Sequence, residues 1–147
     1  MVLQVREPAA RWPKPAVPPA ADAERSARRN ALGLREALAI AAHWQINQEQ
    51  LARLLGSVPR SLQRWRKQAD ETGLLPLSAD TVERISYLLG IHKALQILLP
   101  TPDNQRLWLR NANSGPAFNG QPPLDRLLGG QVADLYVVRG VLDGARG

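Results

Sequence analysis

An all-α fold is what this 147-residue chain predicts, and three observations predict it. Apolar residues recur at three- and four-residue spacing through most of the chain. Caps and stops punctuate those runs at helix-sized intervals: Asn47, Gly56, Ser78, Pro100, Thr101-Pro102 and Gly129-Gly130. No stretch alternates apolar and polar residues long enough to make a strand. The expected architecture is a disordered Pro-rich N-terminal tail, a helix-turn-helix bundle and a small helical second domain.

The elements follow in order. Residues 1–23 hold five of the twelve prolines among alanines and read as a flexible tail, with Trp12 inside it. Ala27, Ala31, Leu34, Leu38 and Ala41 mark one face of a helix, but Gly33 interrupts it, so ordered helix is expected from near Leu34. Asn47, with Gln50 three residues on, opens a short helix to Leu55, and Gly56 ends it. Ser57 is the expected cap of the next helix, with Pro59 harmless in its first turn. That helix reaches about Glu71, and Gly73 to Pro76 break the chain. Ser78 caps a long apolar helix stopped by Pro100, and Thr101-Pro102 starts another through Trp108 and Leu109. Residues 111–123 are a turn-rich loop, Leu124 to Leu128 a short helical piece, and a last helix runs from Val132 almost to Gly147. The domains are therefore expected at 1–23 (tail), 24–75 (helix-turn-helix) and 76–147 (second helical domain).

Composition narrows the function classes. With no cysteine, a disulfide, a thiolate zinc site and a thiol nucleophile are excluded. No apolar run approaches the roughly 18 residues of a membrane span, and the N-terminal stretch lacks a secretory apolar core, so no membrane partner and a cytoplasmic location are expected. No paired carboxylates, metal-spaced histidines or glycine-rich phosphate loop appear, so neither an enzyme nor a cofactor or metal is expected. His43 and His92 read as core or partly buried side chains. Of the net charge of +6, the excess sits in residues 1–70, with 12 Lys/Arg against 6 Asp/Glu, while residues 71–147 carry seven of each. A polyanionic partner for the first half follows.

A helical wheel of residues 58–67 gives that charge a geometry. Val58, Leu62 and Trp65 fall together and face inward, while Arg60, Gln63, Arg64 and Lys67 fall on the opposite face. Preceded by a helix buried through Leu51, Leu54 and Leu55, this is a helix-turn-helix with a cationic second helix sized for a major groove. The DNA-binding candidates are Ser57, Arg60, Ser61, Gln63, Arg64 and Lys67. Arg and Gln suit base edges, Lys67 and Ser61 suit phosphates, and the helix start at Ser57 offers a dipole end. A solvated helical hairpin is the plainer alternative. In the last helix Val132, Leu135, Tyr136 and Leu142 make one apolar side and Val137 and Val141 another, a pattern that suits contact with a partner.

The ordered set LSADTVERISYLLGIHKALQILL, RLWLRNAN, FNGQPPLDRLLGG and LYVVRGVLDGARG resembles the Xre/MbcA/ParS-type toxin-binding domain, which in that family follows such a helix-turn-helix. The resemblance spans roughly residues 34–147. It implies an antitoxin of a RES–Xre toxin–antitoxin pair, whose toxin has a RES domain and consumes NAD. Such an antitoxin covers the toxin's active site with its C-terminal domain, and the complex represses its own operon. The implied partners are a cognate RES-domain toxin and operator DNA, with a homodimer and a larger toxin–antitoxin complex. Carried over by position, Trp108 and Leu109 are structural, Pro123, Leu124, Asp125 and Leu128 form the short-helix motif, and Gly129-Gly130 its turn. The last helix lies nearest the toxin pocket, which makes Val137, Arg139, Val141, Asp143, Arg146 and Gly147 the toxin-binding candidates. Arg139 and Arg146 suit acidic groups in a dinucleotide pocket, and Asp143 or the terminal carboxylate suits its cationic wall. The alternative is a stand-alone helix-turn-helix regulator whose second half dimerises or senses a ligand.

Overall fold

The computed structural model describes residues 19–147, which form α1 (Pro19–Trp44), α2 (Gln48–Leu54), α3 (Pro59–Thr72), α4 (Ala79–Leu98), α5 (Pro102–Arg110), α6 (Pro123–Leu127) and α7 (Val132–Arg146). There is no strand among the described residues. The all-α expectation holds. Residues 1–18, with Trp12 and most of the expected tail, lie outside the described residues.

α1 starts earlier than expected. It begins at Pro19, so residues 19–23 are helical rather than tail, and it passes through Gly33 without a break. Two causes outweigh the roughly 1 kcal/mol that a helical glycine costs. The segment is rich in alanine, the strongest helix former, and it is anchored on both sides. Ala31 is buried, and the Leu75 amide donates to the Ala27 carbonyl at 3.0 Å. Gly33 itself is a packing residue: a Cβ there would stand 3.2 Å from Cγ2 of Ile85 on α4. The buried stripe of α1 is Ala31, Leu34, Ala37, Ile40, Ala41 and Trp44.

Local caps place the next elements. Asn47 accepts from the Gln50 amide at 2.8 Å while the Gln50 side chain accepts from the Asn47 amide at 2.9 Å, a complete capping box. Gly56 turns the chain at φ +67. Ser78 and Thr101 cap α4 and α5 by accepting from Thr81 and Asn104 amides. Ser57 does not cap α3. Its amide donates to the Ala52 carbonyl at 2.8 Å, closing the turn, and Val58 takes the N-cap position with no side-chain bond.

α4 is the central helix, apolar nearly all round because it packs on α1 along one side and on α7 along another. Ile85, Leu88, Ile91, Ala94 and Leu95 are buried along it. At about 2 kcal/mol for a fully buried leucine, the four fully buried leucines Leu51, Leu54, Leu55 and Leu62 hold the helix-turn-helix against this core.

Polar groups join the parts. Arg106 and Arg110 of α5 donate to the last carbonyls of α1, His43 and Trp44, at 2.9 and 2.6 Å, satisfying a helix C-terminus with positive charge. The buried Gln105 donates to the Leu99 carbonyl at 2.7 Å and accepts from His43 Nε2 at 2.9 Å. Trp44 is fully buried and its indole N–H donates to His92 Nδ1 at 3.0 Å. Burial, with His43 4.9 Å away, pushes His92 below its ordinary 6.5. Both histidines are thus half-buried side chains held by packing and hydrogen bonds.

Candidate functional site

Two surfaces carry the candidate residues, and Arg84 lies between them. The first is α3. Leu62 and Ala69 are buried and Trp65 half-buried, which fixes the inward face, and Arg60, Gln63, Arg64, Arg66 and Lys67 are left exposed. Val58, expected inward, is 57 % exposed. It precedes the first helical turn in extended conformation, φ −122, so the wheel angle did not apply to it. Ser61 is partly buried on the flank, and Ser57 sits in the turn.

The charge on α3 is graded along its axis. Its N-terminal three turns carry Arg60, Arg64, Arg66 and Lys67, and its C-terminal end carries Asp70 and Glu71. Lys67 stands 4.0 Å from Glu71, both side chains exposed, and Arg35 stands 4.0 Å from Asp70. Such exposed pairs contribute little to stability, and they leave Arg60 and Arg64 without a carboxylate partner among the described residues. The N-terminal part of a second helix, cationic and free of acid, is the part that reaches base edges in this motif.

The second surface is α7. Leu135, Val138 and Leu142 are its buried face. Tyr136, on the same apolar side as Leu135 and Leu142 by helical period, is 62 % exposed, and the fully buried Val138 takes its place in the packing. The six candidates do not share one face. Arg139, Asp143 and Arg146 form a row on one edge, paired within the helix at 3.6 Å and 3.7 Å. Arg139 also lies over the Tyr87 ring at 5.8 Å and against Gly90, where a Cβ would come within 2.7 Å of its guanidinium carbon. Val137 and Val141 lie on the opposite edge. Val141 borders an apolar cleft of about 200 Å³ lined also by Leu98, Trp108 and Phe118, whose rings meet edge-on at 5.8 Å. Gly147 ends the helix, exposed.

The loop before α6 shapes this cleft. Asn113 holds it by bonds with Gly115, Gly120 and Gln121, and Arg126 bridges the Ala117 carbonyl and Asp134. Leu109, Pro123 and Leu124 are buried, Trp108 and Leu128 packed against the core, and Asp125 exposed.

Sequence reasoning missed Arg84. It is 8 % exposed, donates from Nε to Asp80 at 2.9 Å and from Nη1 to the Gly130 carbonyl at 3.0 Å. Its guanidinium lies over Gly56, where a Cβ would stand 2.7 Å from Cζ. One buried cation therefore joins the turn between α2 and α3 to the turn before α7. The only trace in the sequence was Asp80 four residues before Arg84, an ordinary surface spacing.

Comparison with known proteins agrees with this division. Residues 23–90 match the antitoxin Xre-like helix-turn-helix domain, and residues 94–147 match the antitoxin Xre/MbcA/ParS C-terminal toxin-binding domain. The uncharacterized protein y4oB of Sinorhizobium fredii (strain NBRC 101917 / NGR234) is 42 % identical over 109 residues, which cover 74 % of this chain and 79 % of that protein. The two matched regions meet inside α4, the helix that packs on both α1 and α7. With a helix-turn-helix directly ahead of a toxin-binding domain, the chain belongs to the Xre/MbcA/ParS-type antitoxins.

Proposed function

We propose that the chain neutralises a RES-domain, NAD-consuming toxin by covering its active site with residues 76–147, and represses its own operon through the helix-turn-helix of residues 24–75. The observation that carries the reading is an exposed cationic helix, α3, in the same chain as a matched toxin-binding domain, the two matched regions meeting inside α4. Neutralisation is steric and needs neither catalysis nor a cofactor. On α3, Arg60, Gln63 and Arg64 read base edges, while Ser61, Lys67 and the uncapped helix start beyond Ser57 hold phosphates. One such helix binds weakly, so operator recognition takes two copies on two half-sites. On α7, Val137 and Val141 supply apolar contact. Arg139, Asp143, Arg146 and Gly147 supply polar contact at the pocket rim, exchanging their pairs within the helix for groups on the toxin.

The test separates the two surfaces. Arg60→Ala and Arg64→Ala should each weaken operator binding about 5- to 150-fold, the range of one lost base contact of 1–3 kcal/mol, while co-expressed toxin stays neutralised. Unchanged DNA binding in both variants would mean that another face meets DNA. Purified toxin that is not a NAD-consuming RES protein would overturn the partner assignment.

A further inference from the structure

His43 and His92 each leave one ring nitrogen unused, and their hydrogen bonds fix what those nitrogens are. Gln105 donates from its amide nitrogen to the Leu99 carbonyl, so its oxygen faces His43, and Nε2 of His43 carries the hydrogen. Nδ1 of His43 is then a bare acceptor. The Trp44 indole donates to Nδ1 of His92, so the hydrogen of the neutral His92 ring sits on Nε2 and makes that atom a donor. Neither free nitrogen has a partner among the described residues, and neither is buried, so both reach solvent.

Both rings line one open cleft of about 610 Å³ between α1 and α4. Neither DNA nor toxin needs it in the reading above. The ring centres stand 4.9 Å apart, edge-on, which keeps donor and acceptor within reach of a single ligand group. Ala39, Ile40 and Leu89 add apolar wall, and Glu36 and Lys93 add one charge of each sign, a balance that suits a neutral ligand. The donor–acceptor pair is more selective still. A metal ion needs a lone pair from each ring and would meet the N–H of His92. A carboxylate or phosphate brings only acceptors and would meet the lone pair of His43. A primary carboxamide presents C=O beside N–H on one edge and satisfies both nitrogens at once.

We propose that this cleft binds a neutral, planar primary carboxamide, its oxygen accepting from His92 Nε2 and its N–H donating to His43 Nδ1. Nicotinamide is the member of that class released when NAD is cleaved, so choosing it rests on the reading of the toxin above; the class itself does not. Titration of the full chain at neutral pH, followed through the histidine ring nitrogens by long-range proton–nitrogen NMR, tests it. Both rings should carry their hydrogen on Nε2 before ligand is added. Nicotinamide and benzamide should each shift His43 Nδ1 and His92 Nε2 saturably. N,N-dimethylbenzamide, which has no N–H, and benzoate, which has only acceptors, should bind roughly tenfold more weakly, the cost of one lost hydrogen bond. Ala39→Phe, at an exposed position on the cleft wall, should abolish the shifts with helicity unchanged. A hydrogen on Nδ1 of either ring, benzoate binding as tightly as benzamide, or no saturable shift with either amide would overturn the site. Tighter binding of adenosine, whose amino edge also sets a donor beside an acceptor, would overturn the carboxamide assignment. Benzamide bound and nicotinamide refused would overturn the link to NAD and keep the class, so the two failures are told apart.

Discussion

Gly56→Ala is the sharpest probe of how this molecule is joined. The perturbation has two parts. Alanine at φ +67 costs about 1–2 kcal/mol by itself. Its Cβ would also stand 2.7 Å from Cζ and 2.8 Å from Nε of Arg84, so the guanidinium must leave. Arg84 then loses its bond to the Gly130 carbonyl, a charge-assisted bond worth about 2 kcal/mol. The exposed Asp80 is rehydrated at small cost. The expected total is about 3–4 kcal/mol, or a fall in Tm of roughly 10 °C for a chain of this size. Urea unfolding followed by tryptophan fluorescence and circular dichroism reads it, with an Arg84→Ala background for comparison. There the clash is gone, and Gly56→Ala should cost only about 1–2 kcal/mol, a coupling near 2 kcal/mol. Equal costs in both backgrounds, within about 0.5 kcal/mol, would refute the claim that Arg84 ties the turn to α7.

Two more predictions follow from the geometry. His92 accepts from Trp44 in its neutral form and is held below 6.5, so the unfolded chain takes up a proton first as pH falls. Stability should therefore be full above about 6.5 and decline as pH drops below it, and His92→Gln should flatten that decline; an unchanged slope would remove His92 as its source. Val141→Asp should weaken toxin capture about tenfold or more while leaving Tm within about 2 °C, because Val141 is 38 % exposed at the cleft rim. Full capture by that variant would move the toxin off this edge. A point substitution is the right tool here, since removing all of residues 132–147 would strip Leu135, Val138 and Leu142 from α4.

Where a residue's role depended on its neighbours in sequence, it was legible. Asn47 with Gln50, Ser78 with Thr81, and Gly56 at the turn are decided within four residues, and the structure has each of them. The inward Leu62 and Trp65 of α3 were readable for the same reason, since helical period alone sets them on one face. Val58 was misjudged because it lies just outside the helix whose period was applied to it. Ser57 was misjudged because the turn needed its amide and placed Pro59 first in the helix. Gly33 looked like a break because propensity favours one, yet the close approach of Ile85 makes it part of a continuous helix.

By itself the sequence determined the helices, their caps and the cationic face of α3, because these rest on propensity, period and bonds spanning three or four residues. The resemblance of its ordered motifs pointed to the antitoxin family as well. Only tertiary structure decided which face of α7 is covered, leaving Tyr136 out and splitting the candidate residues between two edges. Only tertiary structure placed Arg84 between Gly56 and Gly130, 28 residues before and 46 after it. Those outcomes depend on which helix lies across α4, a matter of long-range packing that no local pattern encodes.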